Sequence, residues 1–354
     1  GNKSIPSILQ KVWDERLRES GIFLALCGSY MGIIEREILN YRAPLYGRRT
    51  GANYLRPLHL PATAAFFPGY SAIEQIEAWA VLGGMPYYLR IFSDQQDIFA
   101  NIHQHILSSQ GTLHNEPQLL LMEELRDPRN YFSILRAIAQ GRTRLNEIAQ
   151  AVGEKDGRGV TRYLDILRQM RVVERNVPVT ERQPEKSRRG IYQLRDAFLR
   201  FWFRFVHPNQ GSLGMGLSAG VLEQRVRPDF DHFVGYAFED ASLEYVARLA
   251  QNGQLSFLPE RIGRWWIADE EIDVVAISDT DRALLVGECK WSARPVGVNI
   301  LDDLRRKTRR LMANDEWSQV TYALFAKSGF TPALQEIAAA EGILLVEAEE
   351  MVRS

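Results

Sequence analysis

The stretch EIDVVAISDTDRALLVGECKW, residues 271–291, decides how the rest of the chain is read. Two apolar runs rich in Val, Leu, Ile and Ala flank a polar turn, yet Asp273, Glu288 and Lys290 sit among the apolar residues. Ionised side chains in a half-buried strand are costly unless something pairs them, so these charges face either water or a shared site. Side chains alternate across a strand, which puts Leu284, Val286, Glu288 and Lys290 on one face, and Asp273, Val275 and Ile277 on one face of the partner. A four-residue loop over Asp279–Arg282 pairs Ser278 with Ala283 and sets Asp273 opposite Glu288. Facing carboxylates repel, and a divalent cation between them removes the conflict. Oxygen ligands suit Mg²⁺ or Mn²⁺. Lys290 is then placed to orient or activate a water, or to stabilise charge on a phosphate. Solvent-facing strand charges are the competing explanation.

Around the hairpin the pattern predicts a helix over about 229–250, a strand over 255–259, a helix over 299–313, a strand over 319–326, a helix over 332–341 and a strand over 343–347. ILDDLRRKTRR carries five basic residues from Arg305 to Arg310, which suit phosphate or a solvated helix face. Upstream, GSLGMGLSAG reads as a Gly/Ser-rich linker over about 210–220. RDAFLRFWFRFVHPN holds five Phe and Trp residues between 198 and 205, which suit an interdomain core better than a base-stacking platform.

Residues 126–195 hold 16 Lys and Arg against 8 Asp and Glu, a local +8 in a chain of net charge −1. YFSILRAIAQ ends at Gly141, and TRLNEIAQAVG is a short helix with Thr143 as its expected N-cap. In GRGVTRYLDILRQMR the residues Val160, Tyr163, Leu164, Leu167 and Met170 form one face, with Arg158, Thr161, Arg162 and Arg168 on the other. VVERNVPVT and IYQL read as strands around the basic loop ERQPEKSRRG. Three helices and a hairpin make a winged helix-turn-helix, whose third helix can enter a major groove while Lys186, Arg188 and Arg189 reach phosphates. A protein contact, or a solvated arginine face, would use the same residues.

The first 125 residues read as two blocks. SIPSILQKVWDERL is helix-like, IFLALCGS a buried strand ending in a Gly-Ser turn, and PLYGRRTG a punctuated loop with paired arginines. AIEQIEAWAVLGG is a helix broken at Gly83-Gly84-Met85-Pro86, and YYLRIF begins the next. The longest apolar run, GIFLALCGSYMGII, has 14 residues, too few to span a bilayer. Two cysteines, Cys27 and Cys289, without metal-ligand spacing, argue against a disulfide framework or structural zinc and suit a cytoplasmic protein. The chain starts at Gly1 on what reads as the middle of an α/β sheet, so a preceding segment is expected. No G-x-x-x-x-G-K-[ST] motif occurs to cradle a triphosphate.

Helix, three strands, helix, strand, with Asp on the second strand and E-x-K on the third, resembles the PD-(D/E)XK restriction-endonuclease-like fold. The resemblance implies that Glu239, in FVGYAFEDASLEYV, joins the metal site and that the Cys289 backbone carbonyl is a further metal ligand. Ile272 stands where the motif has Pro. The blocks together resemble the C-terminal three-quarters of an archaeal-type ATPase, a prokaryotic AAA+/STAND-like family, through LALCGSYMGIIEREIL, PLYGRRTG, GGMPYYL and FLRFWFRFV…GECKW. That resemblance implies a sensor role for Ser29 and an arginine finger at Arg48 or Arg49, with ATP bound only with the absent Walker segments. The expected fold is therefore multidomain α/β and α: an AAA+ α/β remnant (1–69), a helical lid (70–125), a winged helix (126–195), an aromatic helix and linker (196–220) and a nuclease-like α/β domain with a mixed sheet (221–354). The leading expectation is an ATPase-linked DNA-processing protein with Mg²⁺-dependent phosphodiester hydrolysis by Asp273, Glu288, Lys290 and Glu239. The competing one is a regulatory ATPase that binds DNA or protein without cutting. The absent ATPase segment and other subunits are possible partners; a membrane is not expected.

Overall fold

Seven strands form two sheets among the residues that the computed structural model describes, which are 5–28, 40–125, 128–154, 157–314 and 317–353. The strands are β1 (Val173–Asn176), β2 (Ile191–Leu194), β3 (Arg261–Ile267), β4 (Glu270–Ser278), β5 (Ala283–Lys290), β6 (Gln319–Ala326) and β7 (Leu344–Glu347). β1 and β2 make an antiparallel hairpin, and the other five follow the order β3-β4-β5-β6-β7. The helices used below are α1 (Ala72–Leu82), α2 (Pro128–Ala139), α3 (Leu145–Ala151), α4 (Gly157–Gln169), α5 (Ala197–Phe201), α6 (Arg227–Gln251), α7 (Val298–Leu311) and α8 (Pro332–Glu341). The chain is a multidomain α/β protein.

The five-stranded sheet is mixed. β3, β4 and β5 are antiparallel neighbours, whereas β5–β6 and β6–β7 are parallel and are joined through α7 and α8. Ser278 pairs with Ala283, as the four-residue loop predicts. β5 is apolar on both faces because both faces are covered. Leu285 and Cys289 join the core that includes Phe238 and Ala241 of α6, while Leu284 and Val286 pack with Leu301 and Leu304 of α7.

One irregularity in β4 matters for the site. Gly263 pairs with Val275 and Trp265 with Ile272, so Arg264 alone opposes both Asp273 and Val274. Such a β-bulge re-aims the side chains of the longer strand. Ile272 and Val275 consequently lie in the same core layer, although strict alternation would separate them. Asp273 therefore sits in the bulge rather than in simple alternation with Val275 and Ile277.

Between α2, α3 and α4 the core is supplied by Ile134, Ile148, Val160, Leu164 and Leu167, which match the helical period. The hairpin β1–β2 follows, with Val173 opposite Leu194, and Tyr192 N–H donates to Thr143 O at 2.7 Å. Helix α3 begins one residue later than expected, with Arg144 as its N-cap. Glu147 decides this, because its carboxylate accepts from both Thr143 and Arg144 N–H at 3.1 Å. In α5 and the helical turn after it, Phe198, Phe201, Trp202, Phe203 and Phe205 are all buried.

Three expectations are corrected. Residues 255–259 form no strand; the strand begins at Arg261, beyond Pro259, which has no N–H to give a ladder. Residues 210–220, expected as a Gly/Ser-rich linker, instead hold two short helices, Gln210–Gly214 and Ser218–Val221, anchored by buried Leu213 and Val221. The described part of IFLALCGS, residues 22–28, is not a buried strand. Residues 22–28 lie outside regular structure and Phe23 is 89% exposed, because no neighbouring strand pairs with them among the described residues. The break after α1 stands as expected, since a Cβ on Gly84 would collide with the Leu58 carbonyl and only glycine allows that approach.

Candidate functional site

Asp273 and Glu288 are both buried, at 7% and 6% exposure, at the end of the β4–β5 ladder. The last backbone pair is Val274 with Gly287, so Asp273 and Glu288 stand one step beyond it. There the Asp273 side chain replaces the missing rung, and its Oδ2 accepts from Cys289 N–H at 2.8 Å. Burial pushes the Asp273 carboxyl up to about 6, and the Glu288 charge adds to the rise; the Cys289 N–H and Lys290 pull the other way.

Lys290 lies on the face of Glu288, and its Nζ donates to Glu288 Oε1 at 2.8 Å. Burial alone would favour the neutral amine of Lys290, but the Glu288 carboxylate outweighs it and holds the pKa above its ordinary value. A second lysine enters from α7. Lys307 Nζ, buried, lies 3.2 Å from Glu288 Oε1 and 3.1 Å from Oε2, and 3.1 Å from Asp303 Oδ2 on its own helix. Residue reasoning missed Lys307. The signal was present, because position 307 falls on the apolar stripe Leu301, Leu304, Leu311, where a solvated lysine does not belong.

Glu239 approaches from α6. Its Oε2 accepts from Arg264 Nε at 3.0 Å, and Arg264 also reaches Asp240 Oδ1 at 2.8 Å, while Arg200 holds Asp240 Oδ2 at 2.9 Å. Burial pushes Glu239 up to about 8, and the negative charge of Asp273 reinforces it against the pull of Arg264. Arg264, the residue opposite the bulge, thus holds Glu239, which feels the Asp273 charge, and pairs with Asp240 as well. The Cys289 thiol points to the other side of β5, where burial pushes its pKa up and Ser242 is its neighbour.

Among the described residues, no group of three or more His, Cys, Asp and Glu side chains is arranged to hold a metal. The donors available are two carboxylates and the Cys289 carbonyl. That all-oxygen set fits a hard cation such as Mg²⁺, which keeps several waters and takes only one or two carboxylates from a protein. Glu288 has to loosen its lysine contacts to serve.

The other predicted residues that are described lie apart from this cluster. Ser29 lies outside the described residues. Arg48 is engaged by Asp14, with Nη2 to Oδ2 at 2.7 Å and Nε to Oδ1 at 2.8 Å, and its Nη1 donates to Pro44 O at 3.0 Å. Arg49 is exposed on the same loop. Arg158 and Arg162 are exposed on α4, where Arg168 lies 3.6 Å from Asp165. Lys186 and Arg188 are exposed, but Arg189 is held by Glu181 at 2.6 Å. Arg144, Arg188, Arg189 and Gly157 line a cleft of about 380 Å³ beside the start of α4. The basic run of α7 is largely used inside the fold: Arg305 pairs with Glu341, and Arg306 and Arg310 pair with Glu270.

A family profile described as archaeal and bacterial proteins of unknown function, DUF234, matches residues 202–307, which carry α6, the hairpin and most of α7. The chain is also 32% identical over 330 residues to an uncharacterized protein of Methanocaldococcus jannaschii, covering 92% of this chain and 72% of that protein. No solved structure matches the chain. Among the described residues, no helix is long and apolar enough to cross a membrane.

Proposed function

The chain belongs to the archaeal and bacterial family that carries the DUF234 domain, and from its acidic pair we propose that it processes nucleic acid by hydrolysing phosphodiester bonds with Mg²⁺ or Mn²⁺. The observation that carries this reading is the convergence of Asp273, Glu288 and Lys290 at the end of one hairpin, with Glu239 beside Asp273. In this reading Asp273, Glu288 and the Cys289 carbonyl would hold the cation, which when bound would supply Lewis-acid polarisation of a phosphate and a more acidic water. Lys290 orients the attacking water or steadies charge on the scissile phosphate. Glu239, with its raised pKa, is suited to hold a proton near neutral pH.

The three helices α2–α4 with the β1–β2 hairpin act as a winged helix in this proposal. Arg158 and Arg162 on α4, with Lys186 and Arg188 on the hairpin loop, meet the DNA backbone, and the arginine-lined cleft supports an anion at that end. The AAA+ part of the reading places residues 1–69 against an ATP-binding segment, with Ser29 as sensor and Arg49 as the arginine finger rather than Arg48, which Asp14 already engages.

A second reading has one specific observation behind it. Two lysines neutralise Glu288, so the fold also suits a protein that binds DNA or a protein partner without cutting. Metal-dependent nicking of plasmid DNA by the chain, with Glu288→Ala and Lys290→Ala as controls, separates the two.

A further inference from the structure

Lys290 and Lys307 both contact Glu288, while Asp273 stands opposite it. Glu288 alone thus faces two ammonium groups. Lys307 also reaches both Glu288 oxygens, the atoms a cation would use, and Asp303 aligns it there from the preceding helical turn. A buried position, two acceptor oxygens and a partner at i−4 fix its head group far more than a surface lysine's.

We propose that Lys307 is a resident cation that competes with the divalent metal for Glu288, so that metal binds tightly only when a phosphodiester brings compensating negative charge. The proposal rests on the metal-site reading above. On arrival of the metal, Lys307 shifts from Glu288 toward the phosphate and Asp303, and no bond is made or broken in that exchange. Lys307 is a positioning residue in this account. Metal would then be held loosely in the absence of nucleic acid, which protects against idle chemistry.

The test is Mn²⁺ binding to the whole chain, read by calorimetry and by the loss of the free-ion paramagnetic resonance signal. Lys307→Met removes the competing charge at similar length and is expected to bind Mn²⁺ at least about tenfold tighter than the unaltered chain. Lys307→Gln should move the same way, and Glu288→Gln in the Lys307→Met background should abolish the gain. In the unaltered chain, a phosphorothioate oligonucleotide should raise Mn²⁺ affinity by at least about tenfold over the chain alone, a rise that the Glu288→Gln chain should not show. Equal Mn²⁺ affinity with and without Lys307, or with and without oligonucleotide, overturns the competition and leaves the metal site standing. Absence of any Glu288-dependent Mn²⁺ binding under all of these conditions overturns the metal site itself and the competition with it.

Discussion

The Asp273 carboxylate accepts the Cys289 backbone N–H at 2.8 Å, where the β4–β5 ladder has run out of backbone partners. One oxygen of the proposed metal ligand is therefore also a structural rung. Asp273→Ala leaves a buried N–H unsatisfied and should destabilise the protein by about 1–3 kcal/mol. Asp273→Asn keeps an acceptor of the same size and should recover most of that loss without restoring metal binding. Chemical denaturation of both variants checks the split, and equal instability of Asn and Ala would deny the rung.

Arg264 joins Glu239 and Asp240 to the strand opposite the bulge. Arg264→Met removes one member of a buried ionic cluster and leaves Asp240 with Arg200 alone, which should cost about 3 kcal/mol or more. Lysine cannot reproduce the forked contact and should recover only part. Thermal and denaturant unfolding report this directly.

Two half-buried carboxyls away from the site predict the pH response. Burial pushes Glu77 of α1 up to about 7, opposed by Lys327, and burial pushes Glu244 of α6 up to about 7, opposed by the Leu60 N–H. The folded pKa exceeds the unfolded one, so the folded state binds more protons between about 4.5 and 7. Their contribution is fully present below pH about 4.5 and is lost as pH rises through 7. Glu77→Gln should flatten this decline and stabilise the protein by about 1–3 kcal/mol at pH 8. Unfolding free energies from pH 5 to 8 supply the measurement; a decline as steep in Glu77→Gln as in the unaltered chain would contradict it.

If α4 and the β1–β2 loop meet DNA, Arg162→Ala and Lys186→Ala should each weaken binding on all sequences alike. Each should also reduce the steepness of log affinity against log salt by about one. Arg189→Ala should change affinity less, because Glu181 already occupies that guanidinium. Fluorescence anisotropy across a salt series distinguishes the three.

Much of the C-terminal domain was legible in the sequence because its elements obey one period each. β6 and α8 fall where alternation and helical spacing put them, and the loop count alone set Ser278 against Ala283. β3 was missed because Arg261, Gly263 and Arg264 interrupt its apolar pattern, while LSFLP mimics a strand before a proline. IFLALCGS has the composition of a buried strand, but a strand also needs a neighbour, which composition does not supply. The pairings of Glu288 with Lys307 and of Glu239 with Arg264 join separate elements, and no local spacing records them. Lys307 was the more readable of the two, being a charge on an apolar stripe.

The most direct test of the central claim is nicking of supercoiled plasmid by the chain in Mg²⁺ or Mn²⁺, compared with Glu288→Ala and Lys290→Ala. The account predicts cleavage that requires the metal and falls by at least about a hundredfold in both variants. Undiminished cleavage in both, or no cleavage of DNA or RNA by the unaltered chain, would contradict it.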